Sequence, residues 1–150
     1  MEEYRFSDGV CAQGLVICAL VKMLIHMNME ELMTVGRLHL QSGNNEEALK
    51  LFEEAIGKEP QNAIAWGGKG VALVNLGKYQ EAIDCFDKAI QLDPITAFAW
   101  EGKGVALMRL ERYEDAIPYF DMALEISPHF QRALENRALA LKKMGKSESD

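Results

Sequence analysis

The sequence predicts an all-α solenoid, a stack of helical hairpins of one kind, and three observations predict it. Proline recurs at Pro60, Pro94 and Pro128, a strict period of 34 residues. Ala65-Trp66-Gly67-Gly68-Lys69-Gly70-Val71-Ala72-Leu73 returns one period later as Ala99-Trp100-Glu101-Gly102-Lys103-Gly104-Val105-Ala106-Leu107. Tyr79, Ala82, Ile83, Phe86 and Ala89 return as Tyr113, Ala116, Ile117, Phe120 and Ala123. Self-similarity at such a period marks an array of one supersecondary unit, each member burying its apolar face on its neighbours. An array of this kind works through its surface, which points to binding and away from chemistry.

Residues 1–28 come first and are largely apolar from Gly9 to Met29. The opening Met1-Glu2-Glu3-Tyr4 lacks the basic start of a signal peptide. Gln13, Lys22 and His26 interrupt the run, so it falls short of the ~20 apolar residues of a spanning helix. The segment reads as a buried or partner-seeking helix, with no membrane span. Three full units follow, at 29–62, 63–96 and 97–130, and a partial one occupies 131–150 as a capping helix with a short polar tail. Within a unit the apolar residues keep helical spacing with no strand alternation. In the second unit Ala65, Trp66, Leu73 and Leu76 share one side of a first helix, and Ala82, Ile83, Phe86, Ala89 and Ile90 define a second. Gly43, Gly77 and Gly145 stand at equivalent helix ends, where positive φ is wanted, and the third unit has Glu111 there. Each second helix ends before Pro60, Pro94 or Pro128, which cannot continue it. Asn62 and Thr96 are expected to cap first helices, and Asn44 a second helix.

Composition bounds the function. The 150 residues are 49% hydrophobic and 26% charged, a globular balance. A net charge of −7 argues against nucleic acid, whose phosphates demand a basic footprint. Basic residues do gather at 131–146 (Arg132, Arg137, Lys142, Lys143 and Lys146), read here as a solvated face, with a docking patch for an acidic partner as the lesser alternative. Cys11, Cys18 and Cys85 form no CxxC pair, and an odd, unframed count suits a reducing, cytoplasmic setting.

The slots occupied by Trp66, Gly70, Ala82, Phe86, Ala89 and Pro94, and again by Trp100, Gly104, Ala116, Phe120, Ala123 and Pro128, resemble the tetratricopeptide repeat pattern. The first unit repeats it as Leu32, Gly36, Ala48, Phe52, Ala55 and Pro60, and the resemblance covers residues 29–145. It implies a right-handed solenoid in which small residues let two helices approach while Trp66 and Phe86 fill the space beside them. Truncating either is expected to cost about 3–5 kcal/mol. Lys69 and Lys103 replace the Leu usual in the family, and their stems are expected to pack while the ammonium reaches water. Gly14, Cys18 and Val21 match second-helix slots, so residues 8–27 resemble a degenerate half-repeat that caps the array, a cover for the concave groove, or a surface for a homodimer.

Candidates for chemistry are weak. Gly67-Gly68-Lys69-Gly70 superficially suggests a phosphate loop, but Gly follows the lysine where Ser or Thr is required, and no strand precedes it. His26, His39 and His129 share no spacing with one another or with a cysteine. No metal site, cofactor or enzyme activity is expected. The resemblance instead implies a concave surface lined by first-helix residues: Met33, Arg37, Leu40, Ile64, Val71, Val74, Phe98, Val105, Met108, Arg109 and, from the cap, Leu139. All but Arg37 and Arg109 are apolar, which suits an apolar or amphipathic protein segment. Phe98, Met33 and Met108 are the expected anchors, with Arg37 and Arg109 setting orientation. Chaperone-binding members of the family grip a partner's terminal carboxylate with Lys, Arg and Asn. The matching positions here are Met33, Arg37, Gly68, Phe98 and Gly102, so that grip is not expected.

Overall fold

The structure, a computed structural model, describes residues 27–145. The apolar stretch at 8–26 and the proposed half-repeat within it lie outside the described residues. Among the described residues seven helices run in order: α1 Met29–Gln41, α2 Asn45–Lys58, α3 Ala63–Asn75, α4 Tyr79–Leu92, α5 Ala97–Arg109, α6 Tyr113–Ile126 and α7 Gln131–Lys143. First helices begin at 29, 63, 97 and 131 and second helices at 45, 79 and 113, so the 34-residue period of the sequence is the period of the fold. The result is an all-α repeat solenoid.

Local signals set the boundaries. Gly43, Gly77 and Gly145 take φ of +79°, +78° and +72°, and Glu111 is held at +60° in the equivalent turn. Asn62 caps α3 by accepting from the Ala65 N–H at 3.1 Å. Thr96 and Asn44 precede helices but do not cap them through their side chains. The Thr96 hydroxyl instead donates to Asp93 at 2.6 Å, and the Asn44 amide donates to Ser42. The strongest cap is one the sequence reading passed over. Asn28 accepts from the Glu31 N–H while Glu31 accepts from the Asn28 N–H, both at 2.9 Å, closing a capping box on α1.

Each helix packs on the one before and the one after. First helices also touch first helices (α1 on α3, α3 on α5, α5 on α7), whereas no second helix of the described residues meets another second helix. The first helices therefore line the short, inner side of a curved stack, and the second helices spread along its outside.

The core is a row of phenylalanines in glycine slots. Phe52, Phe86 and Phe120 are fully buried. A Cβ added to Gly70 would lie 2.8 Å from the Phe86 ring, and one added to Gly102 only 2.4 Å from it. Phe52 is held in the same way between Gly36 and Gly68. Phe52 and Phe86 thus each join the first helix of their own unit to the first helix of the next, and Phe120 lies against Gly104 on the first helix of its own unit. The tryptophans behave differently. Trp66 and Trp100 are only partly buried, and their indole N–H groups donate to the Pro60 and Pro94 carbonyls at 2.9 and 2.8 Å. Trp66 therefore tethers the preceding turn as well as filling space.

The lysines in the family's Leu slot are largely covered along their stems and end on half-exposed carboxylates. Lys69 pairs with Glu53 at 3.0 Å, and Lys103 pairs with Asp87 while lying 4.5 Å from the centre of the Tyr119 ring. Arg137 pairs with Asp121 at 2.6 Å. These three pairs recur at period 34 and tie each first helix to the second helix of the preceding unit. Arg137 is thus engaged with Asp121, where it was expected to turn to water.

Candidate functional site

The inner wall is where backbone from different units converges on a common surface, so its side chains are the candidate site. Ile64 is 64% exposed and Leu139 44%, while Arg37 and Arg109 are also exposed. Met33, Leu40, Val71, Val74, Phe98, Val105 and Met108 are half-buried. Met33 and Leu40 lean on the core around Phe52 and Ala48, so they form a floor at the first unit.

Two depressions open at the other end. One, of about 300 Å³, is lined by Val71, Val74, Asn75, Val105, Arg109, Arg132 and Asn136, with Phe86 and Gly102 at its base. The other, of about 220 Å³, is lined by Val105, Met108, Arg109, Tyr113, Asn136, Leu139 and Lys143. Both include Val105, Arg109 and Asn136, so they form one trough along α3, α5 and α7. Of the residues expected in the groove, the trough brings together Val71, Val74, Val105, Met108, Arg109 and Leu139. Met33, Arg37, Leu40, Ile64 and Phe98 line neither depression.

Glu101 is the residue that the sequence reading passed over. It is fully buried on α5, the one buried charged side chain among the described residues. Arg132 Nη2 donates to both of its oxygens, at 2.9 and 3.2 Å, and Asn136 Nδ2 donates to Oε1 at 2.7 Å. Burial pushes the Glu101 carboxyl above its ordinary pKa, and Arg132 and Asn136 only partly offset that push. The Arg132 guanidinium also stands 6.0 Å from the centre of the Phe98 ring, and Phe98 lies against Gly67, where a Cβ would meet it at 3.3 Å. A signal for this cluster was present in the sequence. Glu101, Arg132 and Asn136 occupy slots that hold Gly67, Phe98 and Gly102 one period earlier, and three departures from the repeat in neighbouring slots point to a local tie.

Other candidates settle into the packing. Gly67-Gly68-Lys69-Gly70 lies inside α3. Burial raises the Cys85 thiol to about 11, far from an activated nucleophile. His39 and His129 fall in the first and third units, and His26 lies outside the described residues. At the positions of the family's carboxylate grip, Gly68 and Gly102 are closed off by Phe52 and Phe86, each of which a Cβ would meet at 2.4 Å. Among the described residues no helix is long and apolar enough to cross a membrane.

The fold and its inner wall define the class, a helical-repeat protein with a curved array of hairpins. A family model described as tetratricopeptide repeat matches residues 35–94 and again 72–130, and the chain belongs to that family. Solved structures share the fold. The first TPR of Spaghetti (RPAP3), bound to the HSP90 peptide SRMEEVD, is 20% identical with a TM-score of 0.72, covering 81% of this chain and 99% of that one. The Sgt2 TPR domain from Aspergillus fumigatus is 18% identical with a TM-score of 0.74, covering 78% and 79%. The TPR2B domain of yeast Sti1, in a complex with pHsp70, is 26% identical with a TM-score of 0.71, covering 78% and 96%. No curated protein matches the sequence.

Proposed function

We propose that this chain is a non-catalytic protein-interaction scaffold whose concave face holds an apolar or amphipathic peptide segment. The observation that carries this reading is the composition of the inner wall. Val71, Val74, Val105, Met108 and Leu139 form the apolar lining of an open trough, and Ile64 adds exposed apolar surface on α3. Stacked helices that leave such side chains accessible present a template for a partner's apolar stripe. Peptides of HSP90 and Hsp70 occupy some structural neighbours, but acidic chaperone tails do not suit this chain, because ring-closed glycines stand at two of the gripping positions.

Selection from a displayed library of random 15-residue peptides tests the reading. Captured peptides are expected to carry Leu, Ile, Met or Phe at helical spacing. The double variant Ile64→Glu, Leu139→Glu should lose them while its melting and circular dichroism stay close to wild-type values, since neither side chain belongs to the buried core. Equal capture by the variant would sink the proposal.

A second reading, a homo-oligomer assembled through residues 8–27, rests on the apolar runs Leu15–Val21 and Met23–Ile25. Light scattering on the full chain and on a version starting at residue 29 tests it. Loss of a dimer on truncation supports it, and an unchanged oligomeric state removes it. Cytoplasmic placement is supported by the odd, unframed cysteine count alone.

A further inference from the structure

We propose that Arg109 and Arg132 form an anion anchor for an acidic side chain within the bound segment, whose apolar neighbours sit on Val71, Val74 and Val105. The inference rests on the groove reading above and specifies the chemistry of the partner. The whole chain carries a net charge of −7, yet the charged side chains lining the two depressions are Arg109, Arg132 and Lys143, with no acid among them. Buried Glu101 neutralises one of these, leaving a positive surplus in the trough of an acidic protein. A segment bearing a carboxylate complements that surplus.

The geometry prepares Arg132 for the task. Its Nη2 is fixed on the Glu101 carboxylate, and its Nε and Nη1 have no hydrogen-bond partner among the described residues. Its side chain is 59% exposed. A guanidinium already held in place loses little further rotamer freedom when it meets a ligand. Arg109 lies across the same depression and has no ion-pair partner among the described residues. Charge-assisted hydrogen bonds from two such groups outweigh neutral ones. Because Val105, Arg109 and Asn136 line both depressions, the trough continues past the arginines. A segment runs through it, and the anion is therefore an internal Asp or Glu and not a chain end.

The test uses an array of 15-residue peptides, acetylated and amidated at their ends, and a duplicate array with free C-terminal carboxylates. Arg109→Gln removes one donor group. The double variant Glu101→Gln, Arg132→Gln removes the other without leaving a buried unpaired carboxylate. The best amidated peptide should contain an Asp or Glu flanked by Leu, Ile, Val, Met or Phe. Each variant, with melting unchanged, should bind that peptide about tenfold more weakly. Replacing its acid by the amide should weaken wild-type binding similarly and variant binding much less. Apolar binders with no acid preference would overturn the anchor while leaving the groove intact. Binding only to peptides with a free C-terminal carboxylate would overturn the internal-acid assignment. An array with no binders at all would overturn both the anchor and the groove.

Discussion

Gly102→Ala is the sharpest probe of how the repeats are joined. On an ordinary helix this change stabilises by about 1 kcal/mol, because alanine has the better helix propensity. Here the new Cβ would stand 2.4 Å from Cε1 and 2.5 Å from Cζ of Phe86. Ordinary contact begins near 3.4 Å, so the ring must retreat by about 1 Å, the difference of the two distances. Its retreat is blocked, because the Gly70 side already closes to 2.8 Å for a Cβ there and the ring is wholly buried. Overpacking of a pinned group falls at the upper end of the usual range, about 3 kcal/mol. Subtracting the propensity gain leaves a net loss of about 2 kcal/mol. Urea denaturation monitored by circular dichroism measures it. Gly57→Ala supplies the control, since nothing lies within 4 Å of its Cβ position, and this exposed helical site should gain up to ~1 kcal/mol. In a Phe86→Leu background the smaller side chain frees the slot, so Gly102→Ala should become neutral or stabilising. A Gly102→Ala protein as stable as wild type would refute the ring-in-slot account of inter-repeat packing.

Two further outcomes depend on pH. Burial raises the Glu101 pKa, so the folded chain holds this proton to a higher pH than the unfolded chain does. Wild type should therefore gain stability relative to Glu101→Gln as pH falls through the folded pKa, as read by denaturation at about pH 7 and about pH 5; a wild type that loses ground on acidification contradicts the burial account. Cys85, raised from 9.0 to about 11 by burial, should present roughly a hundredfold less thiolate near neutral pH than a free cysteine. In a Cys11→Ser, Cys18→Ser background, a thiolate-directed reagent should then label the native protein far more slowly than the denatured one. Because the fold keeps this proton longer, stability should fall as pH climbs between about 9 and 11, and Cys85→Ala should flatten that fall.

Much of the fold was legible because its determinants lie within a few residues of one another. Gly77 forces the turn, Asn62 caps the helix that precedes that turn, and the Ala82–Phe86–Ala89 spacing sets one helical face. The caps were read less well. Thr96 has a capping residue's chemistry, but Asp93 takes its hydroxyl, and that competition is decided by side-chain geometry a few residues upstream. Placement of Lys69, Lys103 and Arg137 was also hidden, because each partner sits 16 residues earlier on a neighbouring unit's second helix.

The candidate site divides along the same line. By itself the sequence determined the unit, its register and the glycine and phenylalanine slots, all from a repeated local pattern, while the assignment of the first helices to the inner wall came from the resemblance to the tetratricopeptide family. Only the tertiary structure decided that the inner wall deepens into a trough at its C-terminal end and that Glu101 is buried there under Arg132 and Asn136. Those residues lie 31 and 35 positions from Glu101. A period reveals what the units share. What sets one unit apart acquires meaning only when stacking brings it against its neighbour.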